Sequence, residues 1–459
     1  MRTFGRPWNR SRAVPDIRGA ERRSPEGRDG REMSEKTDGR KGGAGPAAEA
    51  AEIIRSRGIQ AAVNALRKRE LALGLRKPTL AVYDHAFHFI GGAQKYGLTM
   101  VAALRDMFDL TILANRDVGP EEFRRWYGLD LSGCPVKVIP IPFYDERNLT
   151  HLDPALVGRA DENPFHRLSR ESGGYDVFVN NSMNEMVFPL APVSVFICHF
   201  PERRPRTYFY ADRYTRVVCN SRYTAAWIEK KWGFSPHRLL YPPVDMEAEE
   251  DAGPKKKMIL SASRFEPEGF KRQREMITAF LKLLRERPAA ADGWTFVLAG
   301  GSGPVNAYLD GLRELAAEAS GRIELRVNVT AAELKSLYRD AALFWHMCGL
   351  NGEDPGQTEH FGMTTVEAMQ NAVVPLVFSG GGLPEIVDDG INGFLVGSTA
   401  RLLERTLFLL RDPGKREALG RAARENARRF SRPRFEAEAR AIFEDILARL
   451  AGPGGPAAE

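Results

Sequence analysis

Short apolar runs typical of strands alternate with longer helical runs twice along this chain, and this alternation constrains the fold more than any other feature. Runs that are apolar throughout predict strands buried on both faces, and the helical stretches between them predict crossovers, so we expect parallel sheets. The segment at 241–245 and the charged run after it interrupt the pattern and predict a linker. Before the linker the runs are TLAVYD, DLTILAN, VKVIPIP, DVFVN, VSVFICH and RVVCNS.

The alternation restarts after the linker. Two doubly wound sheets in tandem leave a cleft at the carboxyl ends of their strands, where such sheets bind ligands. The predicted fold class is therefore α/β, with two Rossmann-like, doubly wound parallel-sheet domains facing across a cleft. The second set of apolar runs is KMILSAS, WTFVLAG, IELRVNV, ALFWHM, VVPLVFS and GFLV. Helices are expected between them at 271–287, 304–319, 331–341 and 364–371.

Domain boundaries follow from these patterns and from local composition. The final helix is expected to cross back to the first domain. The predicted segments are a disordered Arg/Gly-rich tail at 1–51, an amphipathic helix or linker at 52–77, Rossmann-like domains at 78–250 and 255–430, the final helix at 431–450, and a tail at 451–459.

Charge does not point to nucleic acid. The chain carries a net charge of +6, but residues 1–33 hold nine Arg against three Glu and two Asp. The excess therefore lies in a segment too poor in apolar residues to fold, and the remainder is nearly balanced. This segment has no apolar stretch of a secretory signal, and Met33 is an alternative start.

Membrane and redox signals are weak. No run approaches eighteen apolar residues, so we expect no membrane-spanning helix and at most peripheral contact. Residues 53–77 have Ile, Val and Leu at helical spacing with a basic opposite side, which fits either a helix lying on an anionic bilayer or one packed on the first domain. Four scattered cysteines without CxxC spacing predict buried, reduced thiols and a cytoplasmic location.

Two basic residues follow the first strand of the second domain. Arg264 and Lys271 lie at the mouth of the predicted sheet, in SRFEPEGFKRQ. Such a pair suits a diphosphate, with Arg binding as a fork and Lys as a point charge, although a solvated basic loop fits equally well. The next strand ends in LAGGSGP, a Gly-rich turn that alone is a weak signal.

The stretch EHFGMTTVEAM at 359–369 is the most informative. Thr364 and Glu367 have the spacing of a capping box, which accounts for Glu367 but not for Glu359 or Gly362. A helix start with open amides and a positive dipole end favours an anion. Basic groups, a helix start and flanking carboxylates together fit a nucleotide-sugar, which offers ribose, diphosphate and hexose.

These motifs, with GGGLPEIVDDGINGFLV, resemble the retaining family 4 glycosyltransferases of GT-B fold, whose most specific mark is Glu-x7-Glu. In the first domain FIGGAQKYG and VVCNSRYTAAWI are similar to the family's first βα loop and to the end of that domain. The resemblance covers about 79–450. Two departures are the insert EPEGF between Arg264 and Lys271, and Ala372 where a Gly commonly ends the helix.

The resemblance implies specific roles. The first domain would take the acceptor and the second the nucleotide-sugar. Glu359 would bind hydroxyls of the donor hexose, Glu367 the ribose, and His199, at a strand end, would face the transferred sugar. Diphosphate would be held by Arg264, Lys271 and the helix start at Gly362, Met363, Thr364 and Thr365. Gly91 and Gly92 would contact phosphate or acceptor.

The expected activity is retaining, metal-independent transfer of a hexose, with mannose weakly favoured, from a GDP- or UDP-linked sugar to a glycan or lipid-linked acceptor. No cofactor and no nucleic acid are expected. No metal is expected either, because the sequence has no DxD motif and because His346 and His360 lack metal-ligand partners at suitable spacing. Glu385 is expected to favour a helix N-terminus. Alternatives are a phosphorylase or epimerase on this fold, or a non-catalytic nucleic-acid-binding protein using 1–51 and the Arg/Tyr-rich 201–216.

Overall fold

The computed structural model describes residues 46–141, 163, 165–202, 208–246, 253–352 and 354–451. It divides into the units Met1–Ile53 and Ile54–Glu459, and the second contains both sheets. Most of the predicted N-terminal tail, half of the charged run after 245 and nearly all of the C-terminal tail lie outside the described residues.

The first sheet has seven parallel strands in the order β3-β2-β1-β4-β5-β6-β7. Its inner strands are buried on both faces, as their continuous apolar runs predict. The strands are β1 (Thr79–Asp84), β2 (Asp109–Ala114), β3 (Val136–Val138), β4 (Val177–Asn180), β5 (Val193–Cys198), β6 (Arg216–Cys219) and β7 (Arg238–Leu239).

The second sheet has six parallel strands in the order β10-β9-β8-β11-β12-β13. Two parallel, doubly wound sheets confirm the predicted α/β class. The strands are β8 (Met258–Ala262), β9 (Thr295–Gly300), β10 (Ile323–Val327), β11 (Leu343–His346), β12 (Val374–Phe378) and β13 (Phe394–Val396).

Helices cover both faces of each sheet, and the last described element is also a helix. They are α1 (Pro46–Ala72), α2 (Gly92–Leu104), α3 (Pro120–Tyr127), α4 (His166–Ser172), α5 (Arg222–Trp232), α6 (Gln273–Glu286), α7 (Ala307–Ala317), α8 (Ala331–Asp340), α9 (Met363–Gln370), α10 (Thr399–Arg411), α11 (Pro413–Ala427) and α12 (Arg432–Ala451). In the part of the chain that the structure describes, no helix has both the length and the apolar character needed to cross a membrane.

Strand order places the loops that matter. In each sheet the order reverses beside the first strand, between β1 and β4 and between β8 and β11. Loops leave such a switch point toward opposite faces and open a crevice at the carboxyl edge. The loop after β8 carries Arg264 and Lys271, and β11 ends at His346, shortly before Glu359. The loops that carry Arg264, Lys271 and Glu359 therefore meet at this switch point.

Helix α12 packs against the first domain. Its buried side chains belong to the core cluster around β1, β2 and α2. Arg440 pairs with Asp106 at 2.6 Å, and Arg216 pairs with Asp445 at 3.2 Å. The buried α12 residues are Phe435, Ala439, Phe443, Ile446 and Leu450.

Helix α1 contacts the first domain by polar groups. Gln60 Nε2 and Arg67 Nη1 donate to the carbonyl of Gly173 at 3.0 and 2.8 Å. Of the two alternatives for this segment, these contacts favour a helix packed on the first domain.

Ala372 ends helix α9 in a strained conformation. Its φ is +54°, in the left-handed region that glycine adopts without penalty. The departure noted in the sequence therefore has a structural cost at the C-terminal end of this helix.

We predict that Ala372→Gly raises the free energy of unfolding by about 0.5–1 kcal/mol, because it removes the Cβ from a left-handed residue. Urea unfolding measures this. Ala418→Gly, at an exposed position inside α11, is the matched control and should lower stability by about 1 kcal/mol. Equal losses in both variants would contradict the strain at Ala372.

Candidate active site

Lys271 and Glu359 form the centre of the candidate site. Lys271 Nζ lies 2.9 Å from Glu359 Oε2, and His346 Nε2 lies 3.0 Å from the same oxygen. An ionised carboxylate only accepts hydrogen bonds, so the His346 ring donates through Nε2. Residues from the loop after β8 and from the end of β11 thus hold one carboxylate at the switch point.

The charges of this pair support each other. Burial on its own would raise the pKa of Glu359, but Lys271 and His346 hold that pKa well below its usual range. Burial likewise would lower the pKa of Lys271, and Glu359 raises it above its usual range. Both groups are therefore charged at neutral pH, in an environment where only 19% of each side chain is exposed.

Helix α9 begins directly beside this pair. Its N-cap is Gly362, with φ +113°, and a Cβ there would lie 2.7 Å from Leu383 Cδ2. Only glycine fits both the conformation and the space. The first amides of a helix have no intrahelical acceptor, so Met363 and Thr364 present the positive end of α9 to the crevice. Thr365 is buried, and its Oγ1 has no hydrogen-bond partner among the described residues.

The predicted capping box of Thr364 and Glu367 is wrong. Because Gly362 takes the cap position, Thr364 lies inside the first turn. Glu367 instead accepts a hydrogen bond from Tyr338 Oη at 2.8 Å and is buried. Burial raises the pKa of Glu367, although Lys95 from the first domain opposes the shift. The two carboxylates of the motif therefore have opposite pKa shifts.

In the first domain a chain of hydrogen bonds fixes His199 at the end of β5. Asn181 Nδ2 donates to Asp84 Oδ2 at 2.7 Å, and Asn181 Oδ1 lies 3.3 Å from His199 Nε2. Since the amide nitrogen faces Asp84, its oxygen faces the ring, and His199 must carry its proton on Nε2. Burial lowers the pKa of His199 to about 3, so the ring is neutral with its acceptor on Nδ1.

The glycine loop of the first domain reaches the start of α9. Gly91 caps α2 and donates its N–H to Tyr127 Oη at 2.9 Å. A Cβ on Gly92 would lie 2.8 Å from Met363 Sδ. The starts of α2 and α9 thus approach closely across the cleft.

A ring stack shows that both strand edges face the same cleft. Phe200, next to His199, stacks on His360, next to Glu359, with ring centroids 4.1 Å apart. Burial lowers the pKa of His360 to about 4, so it is neutral in this stack.

Arg264 lies at the rim rather than in the centre. Its side chain is 72% exposed and pairs with Glu266 at 2.7 Å. Glu266 contributes to the raised pKa of Lys271, so it lies near both basic residues. Of these two, Lys271 contacts Glu359 and Arg264 contacts Glu266. Of the residues predicted from the sequence, Lys271, Glu359 and the Gly362–Thr365 turn are in the centre, with His199 and Gly92 opposite.

Glu385 lies at a helix N-terminus, but the helix belongs to the other domain. Its carboxylate accepts from the backbone N–H of Arg222 at 2.9 Å, that of Tyr223 at 2.8 Å, and Tyr241 Oη at 2.9 Å. The sequence indicated the type of contact and not its partner. His346, Asn181 and Asp84 were missed as site residues, and their only sequence signal is a position at or next to a strand end.

Two family models match the chain. The model described as "Glycosyl transferases group 1" matches residues 245–426, and "Glycosyltransferase Family 4" matches residues 90–248. A GDP-Man:Man(3)GlcNAc(2)-PP-Dol alpha-1,2-mannosyltransferase of Xenopus tropicalis is 28% identical over 50% of this chain and 48% of its own length. A D-inositol 3-phosphate glycosyltransferase of Salinispora tropica is 32% identical over 38% and 35%. The chain thus spans about half or less of these relatives.

Solved structures match the fold over most of the chain. Anabaena HepE, in complex with UDP and glucose, has a TM-score of 0.59 at 17% identity, covering 80% of this chain and 99% of its own. Sucrose-phosphate synthase from Thermosynechococcus elongatus has a TM-score of 0.58 at 15% identity, covering 81% and 100%. The fold is GT-B, and with the family matches it supports a glycosyltransferase.

For the central ion pair we predict a coupling energy of about 1–3 kcal/mol in a double-mutant cycle of Lys271→Met and Glu359→Gln, measured by urea unfolding at pH 7. Because the folded pKa of Glu359 is lowered, the coupling is fully present above the ordinary Glu pKa of about 4.3 and is lost as pH falls below it. The exposed pair Arg313 and Asp310 is the control and should show little coupling. A coupling indistinguishable from the control would contradict the geometry.

For the interdomain contact we predict that Glu385→Ala lowers the free energy of unfolding by about 1–2 kcal/mol, because two helix N–H groups lose their acceptor. Glu385→Gln keeps one acceptor oxygen and should lose less. Glu404→Ala removes an exposed carboxylate paired only within α10, and serves as the control. If Glu385→Ala matched that control, the contact would not hold the domains.

Proposed function

We propose that this chain is a retaining hexosyltransferase that moves a sugar, with mannose favoured, from a GDP- or UDP-linked donor to a glycan or lipid-linked acceptor in glycan biosynthesis. The observation that carries the proposal is the convergence of the Lys271–Glu359 pair with the start of α9 at the switch point of the second sheet. Cations and helix amides there suit a diphosphate, and a carboxylate beside them suits sugar hydroxyls.

The donor would lie across this crevice. Its diphosphate would meet Lys271 and the amides of Met363 and Thr364, with Arg264 closing from the rim. Its hexose would meet Glu359, which accepts hydrogen bonds because it stays ionised. Glu367 would bind the ribose through the carboxylate that Tyr338 already positions.

The base would lie beyond the ribose. A cavity of about 330 Å³ at the carboxyl ends of β9 and β10, lined in part by Gly303, Val327 and Asn328, supports this position. Its loop is tied to the one carrying Arg264, because Phe265 N–H donates to the Gly301 carbonyl at 2.9 Å.

Transfer follows from the charges. Breaking the bond between hexose and diphosphate develops negative charge on the leaving oxygen, and each preorganised donor there lowers the barrier by roughly 3–4 kcal/mol. Lys271 and the helix amides would supply this stabilisation without a metal ion. As in the family that the sequence resembles, the acceptor would attack from the face of the leaving group, and a phosphate oxygen would take its proton.

His199 would position the transferred sugar. Its neutral ring offers Nδ1 as an acceptor to a sugar hydroxyl, because the bond to Asn181 keeps the proton on Nε2. Gly91 and Gly92 would contact phosphate or acceptor. A Cβ on Gly92 would lie 2.8 Å from Met363 Sδ, so the glycine lets the loop approach the start of α9 closely. The acceptor would enter from the first domain.

Support for the sugar and the acceptor comes from relatives. The mannosyltransferase from Xenopus tropicalis is named for a GDP-linked donor and a dolichol-linked acceptor, and HepE is described with UDP and glucose. We therefore include both nucleotides and a lipid-linked acceptor. The proposed cytoplasmic location, with peripheral contact at the inner face of a membrane, rests on the sequence pattern alone.

Two alternatives are separable by experiment. A phosphorylase on this fold would exchange phosphate with a sugar phosphate, which a phosphate assay detects. An epimerase would change the sugar of a nucleotide-sugar without an acceptor and without releasing phosphate, which separation of the product sugars detects. A nucleic-acid-binding protein would need the 201–216 segment as a surface, but Tyr214 is buried in the core. Loss of nucleic-acid binding on deletion of 1–51, together with no nucleotide-sugar affinity, would favour it.

We predict that Glu359→Ala abolishes transfer, and that Lys271→Ala lowers kcat by about 10²–10³-fold, since the leaving group loses one charged donor. Nucleotide-sugars that stabilise the wild type in a thermal-shift screen of UDP-, GDP- and ADP-sugars identify the donor for the assay.

Glu268→Ala and Lys282→Ala, exposed on the loop after β8 and on α6, are matched controls and should keep wild-type rates. A wild-type rate in Glu359→Ala would refute the assignment of this site. Dependence of the wild type on added Mg²⁺ would refute the metal-independent mechanism.

A further inference from the structure

Three side chains at the centre of the site have the composition of a metal centre. His346, Cys348 and Glu359 each offer one ligand atom, and these atoms lie within 4.8 Å of one another. From sequence spacing alone, His346 has no expected metal-ligand partner. The chain nevertheless supplies such partners two and thirteen residues later, because the segment after β11 folds back beside the strand end.

A positive charge already lies among these ligands. Lys271 Nζ is 2.9 Å from Glu359 Oε2 and 3.8 Å from Cys348 Sγ. The ammonium thus lies beside two of the three ligand atoms, and a metal ion must compete with it for them. Lys271 has a way out, since its side chain is 19% exposed and its stem is flexible.

The ligand set selects the metal. Imidazole nitrogen, sulfur and one carboxylate oxygen suit Zn²⁺, whereas Mg²⁺ requires oxygen ligands in octahedral geometry. Zinc bond lengths of about 2.0–2.3 Å place tetrahedral ligand atoms roughly 3.3–3.8 Å apart. The widest separation of 4.8 Å therefore has to shorten by about 1.0–1.5 Å.

We propose that His346, Cys348 and Glu359 bind a thiophilic divalent cation, Zn²⁺, in competition with the ammonium of Lys271. Binding releases the Cys348 thiol proton to solvent and frees His346 Nε2 as a ligand, with the ring proton carried on Nδ1. Nδ1 has no partner among the described residues, so one ring nitrogen is unpaired before and after. The bound ion occupies Glu359, the carboxylate proposed to bind the sugar. It also displaces Lys271, which would hold the diphosphate.

The site therefore acts as an inhibitory metal site. This consequence rests on the proposed function, whereas metal binding does not. The two fail separately, because binding is measured without donor or acceptor.

The test is calorimetric titration of the full chain with ZnCl2. We expect a single Zn²⁺ bound by the wild type, affinity lowered at least about tenfold in Cys348→Ser, and affinity raised in Lys271→Met, where no ammonium competes. Cys134→Ser removes a thiol far along the chain in the first domain and should bind as the wild type does. An unchanged Zn²⁺ affinity in Cys348→Ser overturns the proposal. So does the absence of Zn²⁺ binding by both the wild type and Lys271→Met.

Co²⁺ provides a second readout in case Cys348→Ser folds poorly. Thiolate-to-cobalt absorption should appear in the wild type and in Cys134→Ser, and ZnCl2 should abolish it. Absence of this absorption in the folded wild type, at Co²⁺ concentrations that saturate binding, also overturns the proposal.

In the transfer assay Zn²⁺ should inhibit, a chelator should restore the rate, and Mg²⁺ should have no effect. A chain that binds Zn²⁺ but transfers no sugar refutes the proposed function and keeps the metal site. A chain that transfers sugar equally with and without bound Zn²⁺ refutes the inhibitory role.

Discussion

One charge contact, between Lys271 Nζ and Glu359 Oε2 at 2.9 Å, joins the two loops that flank the switch point of the second sheet. Neither group tolerates burial alone, because an unpaired charge with little access to water is strongly unfavourable. The pair therefore fixes the segment after β11 against the loop after β8. Since α9 begins three residues after His360, the same contact also determines where the positive end of that helix points.

The two glutamates of the motif show how environment separates chemically identical groups. Glu359 faces a lysine and a histidine and keeps its charge at low pH, while Glu367 faces a tyrosine in the core and is driven toward its neutral form. One is suited to constant hydrogen-bond acceptance from hydroxyls. The other depends on Lys95 across the cleft for part of its charge stabilisation. Approach of the two domains therefore affects the second carboxylate directly and the first only through its neighbours.

The sequence predicts the parallel sheets well, because strands buried on both faces leave continuous apolar runs. The helix between two such strands makes a right-handed crossover, which limits the possible topologies. The sequence also places Lys271, Glu359 and Gly362 correctly near one another, since strand order brings their loops to a single edge. It fails where side chains choose among partners at short range. Gly362 and not Thr364 caps α9, and Arg264 pairs with Glu266. Cys348 lies near Glu359 because the chain folds back after β11, which residue spacing does not predict.

The chain passes between the two sheets twice, and the two passages lie side by side. Val244 N–H donates to the Phe430 carbonyl at 3.0 Å, and Arg432 N–H donates to the Val244 carbonyl at 3.1 Å, just before α12 enters the core of the first domain. Two hydrogen-bonded passages restrict rotation of one sheet against the other more than a single passage would. This arrangement also means that the first domain is not a contiguous stretch of polypeptide. Expressed alone without α12, it would expose the apolar surface of α2 that α12 covers.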